Sequence, residues 1–409
     1  MRTMSSILMA GTMLVAAGPA LAQDQTVTIS GWGGSEVAIV NGLLTDVLAE
    51  DLAAAGITVN YEPVDGDFSQ FIVNGLSAGT APDLFYTDIF WARTVFSAGQ
   101  AAPITADTSD FAPNLIDAFT YEGDVLSLPK DFNTLALHYN VDIFDEAGVD
   151  YPSNEDTWET LEEKLVAVSD ATGVYGTCVV PDYARFAPYA LSTGWEPFNA
   201  EGRTVLDDDF RRAFEWYTGL VTKGEGAAVP AADVGQGWAG GCMVAEEAAV
   251  SVEGAWIIGG IRDGSPNMQW GTVRLPMDPE TGQRGNLIFT VGWTVNASSE
   301  VAEAAQTVAE LMTSEKAQQW VLEQGLALPS RGALAENEFL QGDSPESVTN
   351  RVVFEGLEDD NVEPYFFGDL GGTWMEPINT ALNAVMLGEA DVETALATAQ
   401  ARFDELPAQ

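Results

Sequence analysis

Residues 26–88 alternate strand and helix signals in an order that leaves few folds open. Thr26–Ser30 alternates apolar Val27 and Ile29 and suits a strand. A Gly-rich turn follows at Gly31-Trp32-Gly33-Gly34-Ser35. From Glu36 to Ala55, Val37, Val40, Leu44, Val47, Leu48 and Leu52 recur near helical spacing, and Gly56 closes the helix. Ile57–Tyr61 reads as a second strand, Phe68–Ser77 as a helix and Asp83–Thr87 as a third strand. This βαβαβ order demands parallel strands joined by right-handed crossovers. Open α/β sheets bind ligands at the carboxyl ends of their strands. Here those ends are the loops Trp32–Glu36, Glu62–Asp67 and Asp88–Trp91.

A second α/β pattern begins after Thr134–Tyr139. Thr157 is placed to cap a helix whose apolar face is Trp158, Leu161, Leu165 and Val168. Strands are expected at Val174–Val180, Ala248–Val252 and Ile288–Asn296. Helices are expected at Phe210–Thr222, Glu300–Met312, Glu315–Gln324, Glu376–Leu387 and Val392–Leu406. Pro329–Asp369 reads as a loop-rich stretch. Two α/β lobes with several chain crossovers are the simplest arrangement, and 409 residues suffice for both.

The charge narrows the partners. The chain carries 62 acidic and 16 basic residues, a net charge of −46. Such a field repels phosphate, which excludes nucleic acid and anionic membrane as partners. Only 4 of the basic residues are lysine. The acids are spread along the chain, a pattern suited to hydration in high salt; an acidic pocket for a cationic ligand is the alternative. A single histidine, His138, sits in an apolar strand pattern and reads as structural. With it and two cysteines, no metal site or cofactor site is expected.

Residues 1–22 read as a secretory signal: Arg2, an apolar run from Ile7 to Ala17, and Ala20-Leu21-Ala22 as the cleavage site. A membrane anchor is the competing reading, but the run falls short of the ~20 residues that a span needs. Gln23 follows the cut, so no lipid-bearing cysteine is generated. The mature chain is expected in the periplasm of a Gram-negative cell, not embedded in the membrane. In that oxidising compartment Cys178 and Cys242 are candidates for one disulfide, with two buried thiols as the alternative.

Five blocks, in order, resemble the extracellular solute-binding proteins of ABC sugar importers, the maltose-binding-protein family. They are Ala81-Pro82-Asp83-Leu84-Phe85-Tyr86-Thr87-Asp88; Leu128-Pro129-Lys130-Asp131-Phe132-Asn133-Thr134 with the following Leu135–Asn140 and Thr157-Trp158-Glu159; Val250-Ser251-Val252-Glu253-Gly254-Ala255-Trp256; Val291-Gly292-Trp293-Thr294-Val295, leading to Ser314–Gln318; and Thr373-Trp374. The resemblance spans nearly the whole mature chain. It implies the two-lobe periplasmic-binding-protein fold of class II type, with one sugar held in a hinged cleft. By that mapping the first lobe is 26–131 plus 291–340 and the second is 135–288 plus 345–409. It further implies a monomer that serves a membrane permease and is not an enzyme.

A sugar offers apolar C–H faces and a rim of hydroxyls, so its site needs flat aromatic walls and fixed charged or amide groups. By resemblance, Trp256 and Trp374 are stacking walls. Trp32, in its Gly-rich loop, and Trp91 are further candidates. Trp293 is a candidate that equally suits packing at the hinge. Trp158, Trp216 and Trp320 lie within helix patterns and read as core. For hydroxyls, Asp88 and Asp131 are the best-placed carboxylates. Glu36 either contacts ligand or favours its helix N-terminus. Asp182 and Arg185 either contact ligand or pair with each other. The loop after the first strand lacks the lysine that accompanies an acid in maltose-binding protein, so the particular sugar does not carry over. Two other readings stay open: a cationic ligand such as a polyamine in the same fold, and a secreted glycosidase using paired carboxylates.

Overall fold

The computed structural model describes residues 25–34, 36–334, 337–364 and 367–408. The expected signal segment therefore lies outside the described residues. The strands, in chain order, are β1 (Gln25–Ser30), β2 (Ile57–Tyr61), β3 (Leu84–Asp88), β4 (Thr120–Tyr121), β5 (Asp124–Val125), β6 (Leu128–Asn133), β7 (Ala136–Asn140), β8 (Tyr175–Val179), β9 (Ala228–Pro230), β10 (Ala248–Glu253), β11 (Trp270–Val273), β12 (Gly285–Val295) and β13 (Asn361–Pro364).

Two mixed sheets form from these, and β4 and β5 pair with each other as a separate antiparallel hairpin. The first has the order β13-β12-β3-β1-β2, with β6 also paired to β12. In it β1 pairs in parallel with both β2 and β3, as the alternating pattern requires. Strand β12 runs antiparallel to β3 and β6. The second sheet has the order β11-β7-β10-β8-β9. Helices pack on both, and fully buried Val27, Ile29, Leu84, Phe85, Leu165 and Val250 belong to the apolar core. No described helix is long and apolar enough to cross a membrane.

Local chemistry explains most element ends. Thr157 and Thr160 form a reciprocal capping box at the start of helix Trp158–Thr172, and Gly173 closes it in the left-handed region. The helix expected over Glu36–Ala55 is instead two α-helical segments, Glu36–Gly42 and Ala49–Ala55, with a π-helical turn at Leu43–Val47 between them. The wider turn places buried Leu43 and Leu48, five residues apart, in one backbone hydrogen bond of 2.9 Å. The stretch expected to be loop holds the helix Pro345–Glu355, capped by Ser344, and the strand β13.

The chain passes between sheets directly from β6 to β7. Asn286 bonds both the N–H and the carbonyl of Leu135 at 2.9 Å, fixing that crossover. Asn286 also donates to buried Asp359 at 2.8 Å, which pairs with Arg274. Cys178 and Cys242 are bonded, tying β8 to the helix Ala239–Val244 across 64 residues of chain. His138 is fully buried, its ring nitrogens 3.0 Å from Thr272 Oγ1 and 2.9 Å from the Glu253 carbonyl. Burial holds it down to about 4, so it stays neutral at physiological pH.

Candidate functional site

A cavity of about 280 Å³ lies where the carboxyl ends of strands from both sheets converge. Its first-sheet wall is built from residues just past β1 and from the ends of β3 and β6. Trp32 follows β1. Gly31 before it has no side chain, and a Cβ there would fall 2.5 Å from the Tyr86 ring. Tyr86 thus reaches beneath the loop and packs against Trp32, ring centroids 5.3 Å apart. Glu36 opens the helix after that loop. Asp88 ends β3 and caps the helix Ile89–Ser97, accepting the Phe90 N–H at 3.3 Å.

Lys130 and Asp131 come to the same cavity through a register slip. Val291 pairs with Asp131 and Gly292 with Pro129, so Lys130 is an extra residue in β6. An unbroken strand would send the two side chains to opposite faces; a bulge re-aims one of them. Both line the cavity and form a buried ion pair, and the Lys130 ammonium lies 4.8 Å from the Tyr86 ring centroid.

The electrostatics of this wall are crowded. Burial pushes Asp88 up to about 7, against the helix N–H of Phe90. Burial likewise raises Glu36, with Lys130 opposing, and Glu36 Oε2 has no hydrogen-bond partner among the described residues. Burial alone would lower Lys130, yet Asp131, Glu36 and Asp88 together hold it above its usual value. The lysine therefore stays charged among three carboxylates.

The second-sheet wall is aromatic and cationic. Trp256 follows β10 and meets Phe289 of β12 edge to face, with centroids 5.8 Å apart. Arg185, in the helix Tyr183–Ser192, lies 5.9 Å over the Trp256 ring and pairs with buried Glu253 at 2.6 Å. Leu326 and Ala327 line the same space, and Asn133 does so while accepting the Ala255 N–H at 3.0 Å.

Of the expected site residues, the cavity thus gathers Trp32, Glu36, Asp88, Asp131, Arg185 and Trp256. The other four do not line it. Trp374 is fully buried, stacked on Phe367 at 4.3 Å and donating to Thr204 Oγ1 at 2.7 Å. Trp293 is buried against Tyr86 at 4.4 Å, behind the ring that backs Trp32. Trp91 is buried against Phe68, which in turn touches Trp32. These last two support the wall from beneath. Asp182 caps the helix Tyr183–Ser192 through the Arg185 N–H at 2.9 Å. Sequence reasoning passed over Lys130, Asn133 and Phe289 as site residues. For Lys130 the strand pattern gave no signal, since alternation turns it away from the face that Asp131 uses. Trp158 is core as expected, while Trp216 and Trp320 are only partly buried. Among the described residues, no group of acids, His or Cys is arranged to hold a metal ion.

The family model of bacterial extracellular solute-binding proteins matches residues 48–345. A chain of Brucella abortus (strain 2308) named as a binding protein is 25% identical over 272 residues. That match takes in 63% of this chain and 64% of the relative, just under two thirds of its length. Among solved structures, an ABC substrate-binding protein from Listeria monocytogenes in complex with cycloalternan has a TM-score of 0.83 at 20% identity. It aligns over 94% of this chain and 99% of that one. An ABC transporter solute-binding protein from Thermotoga lettingae bound with α-D-tagatose has a TM-score of 0.80 at 21% identity, over 93% and 99%. The fold is the two-lobe one of these proteins, and the chain belongs to the bacterial extracellular solute-binding proteins.

Proposed function

We propose that this protein is the capture subunit of an ABC importer for a sugar or oligosaccharide of glucoside type. The observation that carries the reading is one cavity lined by two indoles, Trp32 and Trp256, together with the carboxylates of Glu36, Asp88 and Asp131. Indole faces match the C–H faces of a pyranose, and carboxylates accept paired hydroxyls. The cavity sits at the small end of ligand sites, which suits one or two sugar rings. The solved neighbours hold cycloalternan and tagatose, which supports a carbohydrate without naming it. We take residues 26–131 plus 291–340 and 135–288 plus 345–409 as the two lobes. Ligand contacts to both favour the shut state, and a membrane permease reads that state. Residues 1–22 direct export to the periplasm, the acidic surface is a salt adaptation, and the protein acts as a monomer without turnover of its ligand.

Titration of the mature protein in molar salt tests this, with glucose, maltose, trehalose, lactose, tagatose and putrescine as the panel. Binding is expected to change tryptophan fluorescence and raise the melting temperature, because ligand binds only the folded state. Affinity of micromolar or better corresponds to about −8 kcal/mol. Binding of putrescine in place of every sugar would overturn the sugar reading. Disappearance of a sugar on incubation would overturn capture in favour of hydrolysis.

A further inference from the structure

Both groups that the second sheet presents to the cavity depend on one carboxylate that never reaches it. Glu253, the last residue of β10, is fully buried. Its Oε2 accepts the Trp256 indole N–H at 2.9 Å and the Arg185 guanidinium at 2.6 Å. Its Oε1 accepts the Gly240 N–H at 3.0 Å. Gly240 belongs to the short helix that carries Cys242, which the disulfide ties to β8. The indole reaches Glu253 only because it folds back over Gly254, where a Cβ would fall 2.5 Å from Trp256 Cζ3.

Resting on the reading of this cavity as a sugar site, we propose that Glu253 is the positioning residue of the second-sheet wall, setting the plane of Trp256 and the direction of Arg185 before ligand arrives. A stacking ring that is free to turn must lose that freedom on binding; a ring already bonded in place does not. One buried carboxylate serving three donors is well matched, since an ionised carboxylate only accepts. Glutamine cannot substitute. Whichever way its amide is turned, an NH2 faces either Gly240 or the Trp256–Arg185 pair.

The first test needs no ligand and no variant of Glu253. Proton exchange of the Trp256 indole N–H, assigned by its loss in Trp256→Phe, is expected to be strongly protected in the ligand-free protein. Fast exchange there would overturn the proposal. In Glu253→Gln that exchange should accelerate, and affinity for the tightest-binding sugar of the panel above should fall roughly tenfold. The fall should be smaller in a Trp256→Phe background than in a Trp32→Phe background. An equal fall in both backgrounds would show a diffuse structural effect and overturn the positioning role. If no sugar of the panel binds, the sugar reading fails while the exchange result still decides how Trp256 is held.

Discussion

On the first-sheet wall, three carboxylates crowd around Lys130, and burial raises Glu36 and Asp88 toward protonation. On the second-sheet wall, Glu253 is matched by an arginine, an indole N–H and a backbone N–H. The difference teaches that one wall holds its acids against their preference, while the other uses its acid as a fastener. The same carboxylate-to-amide change should therefore have opposite consequences on the two sides.

The largest effect is expected at the cation of the crowded wall. Lys130→Met leaves Glu36, Asp88 and Asp131 without the ammonium that balances them. Removing one partner of a buried ion pair costs about 3–5 kcal/mol. Chemical unfolding at pH 8 should show a loss of that order, and a lower pH should recover part of it as the acids protonate. A loss under about 1 kcal/mol would mean that water, not Lys130, balances these acids.

Asp88 gives the next effect, with a sign that follows from its titration. Its folded-state value is about 7, raised first by burial, against an ordinary value of 3.8. Between those values the folded state binds the extra proton. Stability therefore falls as pH rises through that window, and the loss is complete above about 7. The span corresponds to roughly 4 kcal/mol. Asp88→Asn should flatten this slope, so that the variant gains on the native chain at pH 8 and not at pH 4. Glu253→Gln should instead destabilise at pH 8. Parallel pH–stability curves for Asp88→Asn and the native protein would erase the contrast between the walls.

Much of this was legible in the sequence, and what escaped has physical causes. The βαβαβ order, the carboxyl-end loops and the capping Thr157 follow from local periodicity and local hydrogen bonding, which a short window contains. Trp32 and Asp88 are legible as cavity-lining candidates because each sits at the end of a readable strand, and Trp256 because it also lies in a block that resembles the family. Trp374 and Trp293 were not separable from them, because depth in the core depends on contacts such as Trp374–Phe367 and Trp293–Tyr86 that packing decides. Lys130 escaped for another reason. Alternation along β6 excludes it from the face that Asp131 uses, and only the partner strand, β12, reveals the bulge. The helix Pro345–Glu355 has its start signals in the sequence, Ser344 and Pro345, but it lies in a polar stretch where helical periodicity is weak.

The finest distinction concerns how each aromatic face is held. Trp32 rests on Tyr86 and Phe68 through ring contacts, which a smaller ring at the same place partly keeps. Trp256 is fixed in addition by its N–H to Glu253, which phenylalanine lacks. Both Trp→Phe changes keep a flat face for a sugar, so neither should abolish binding. Trp32→Phe should cost about 0.5 kcal/mol of binding free energy, the scale of a lost ring contact. Trp256→Phe should cost about 1–2 kcal/mol, because the ring also loses the bond that sets its plane before ligand arrives. Calorimetric titration of both variants with one sugar of the panel resolves that gap. Equal costs would mean that ring contact, not the bond to Glu253, holds Trp256 in its plane, and the two walls would then differ in charge alone.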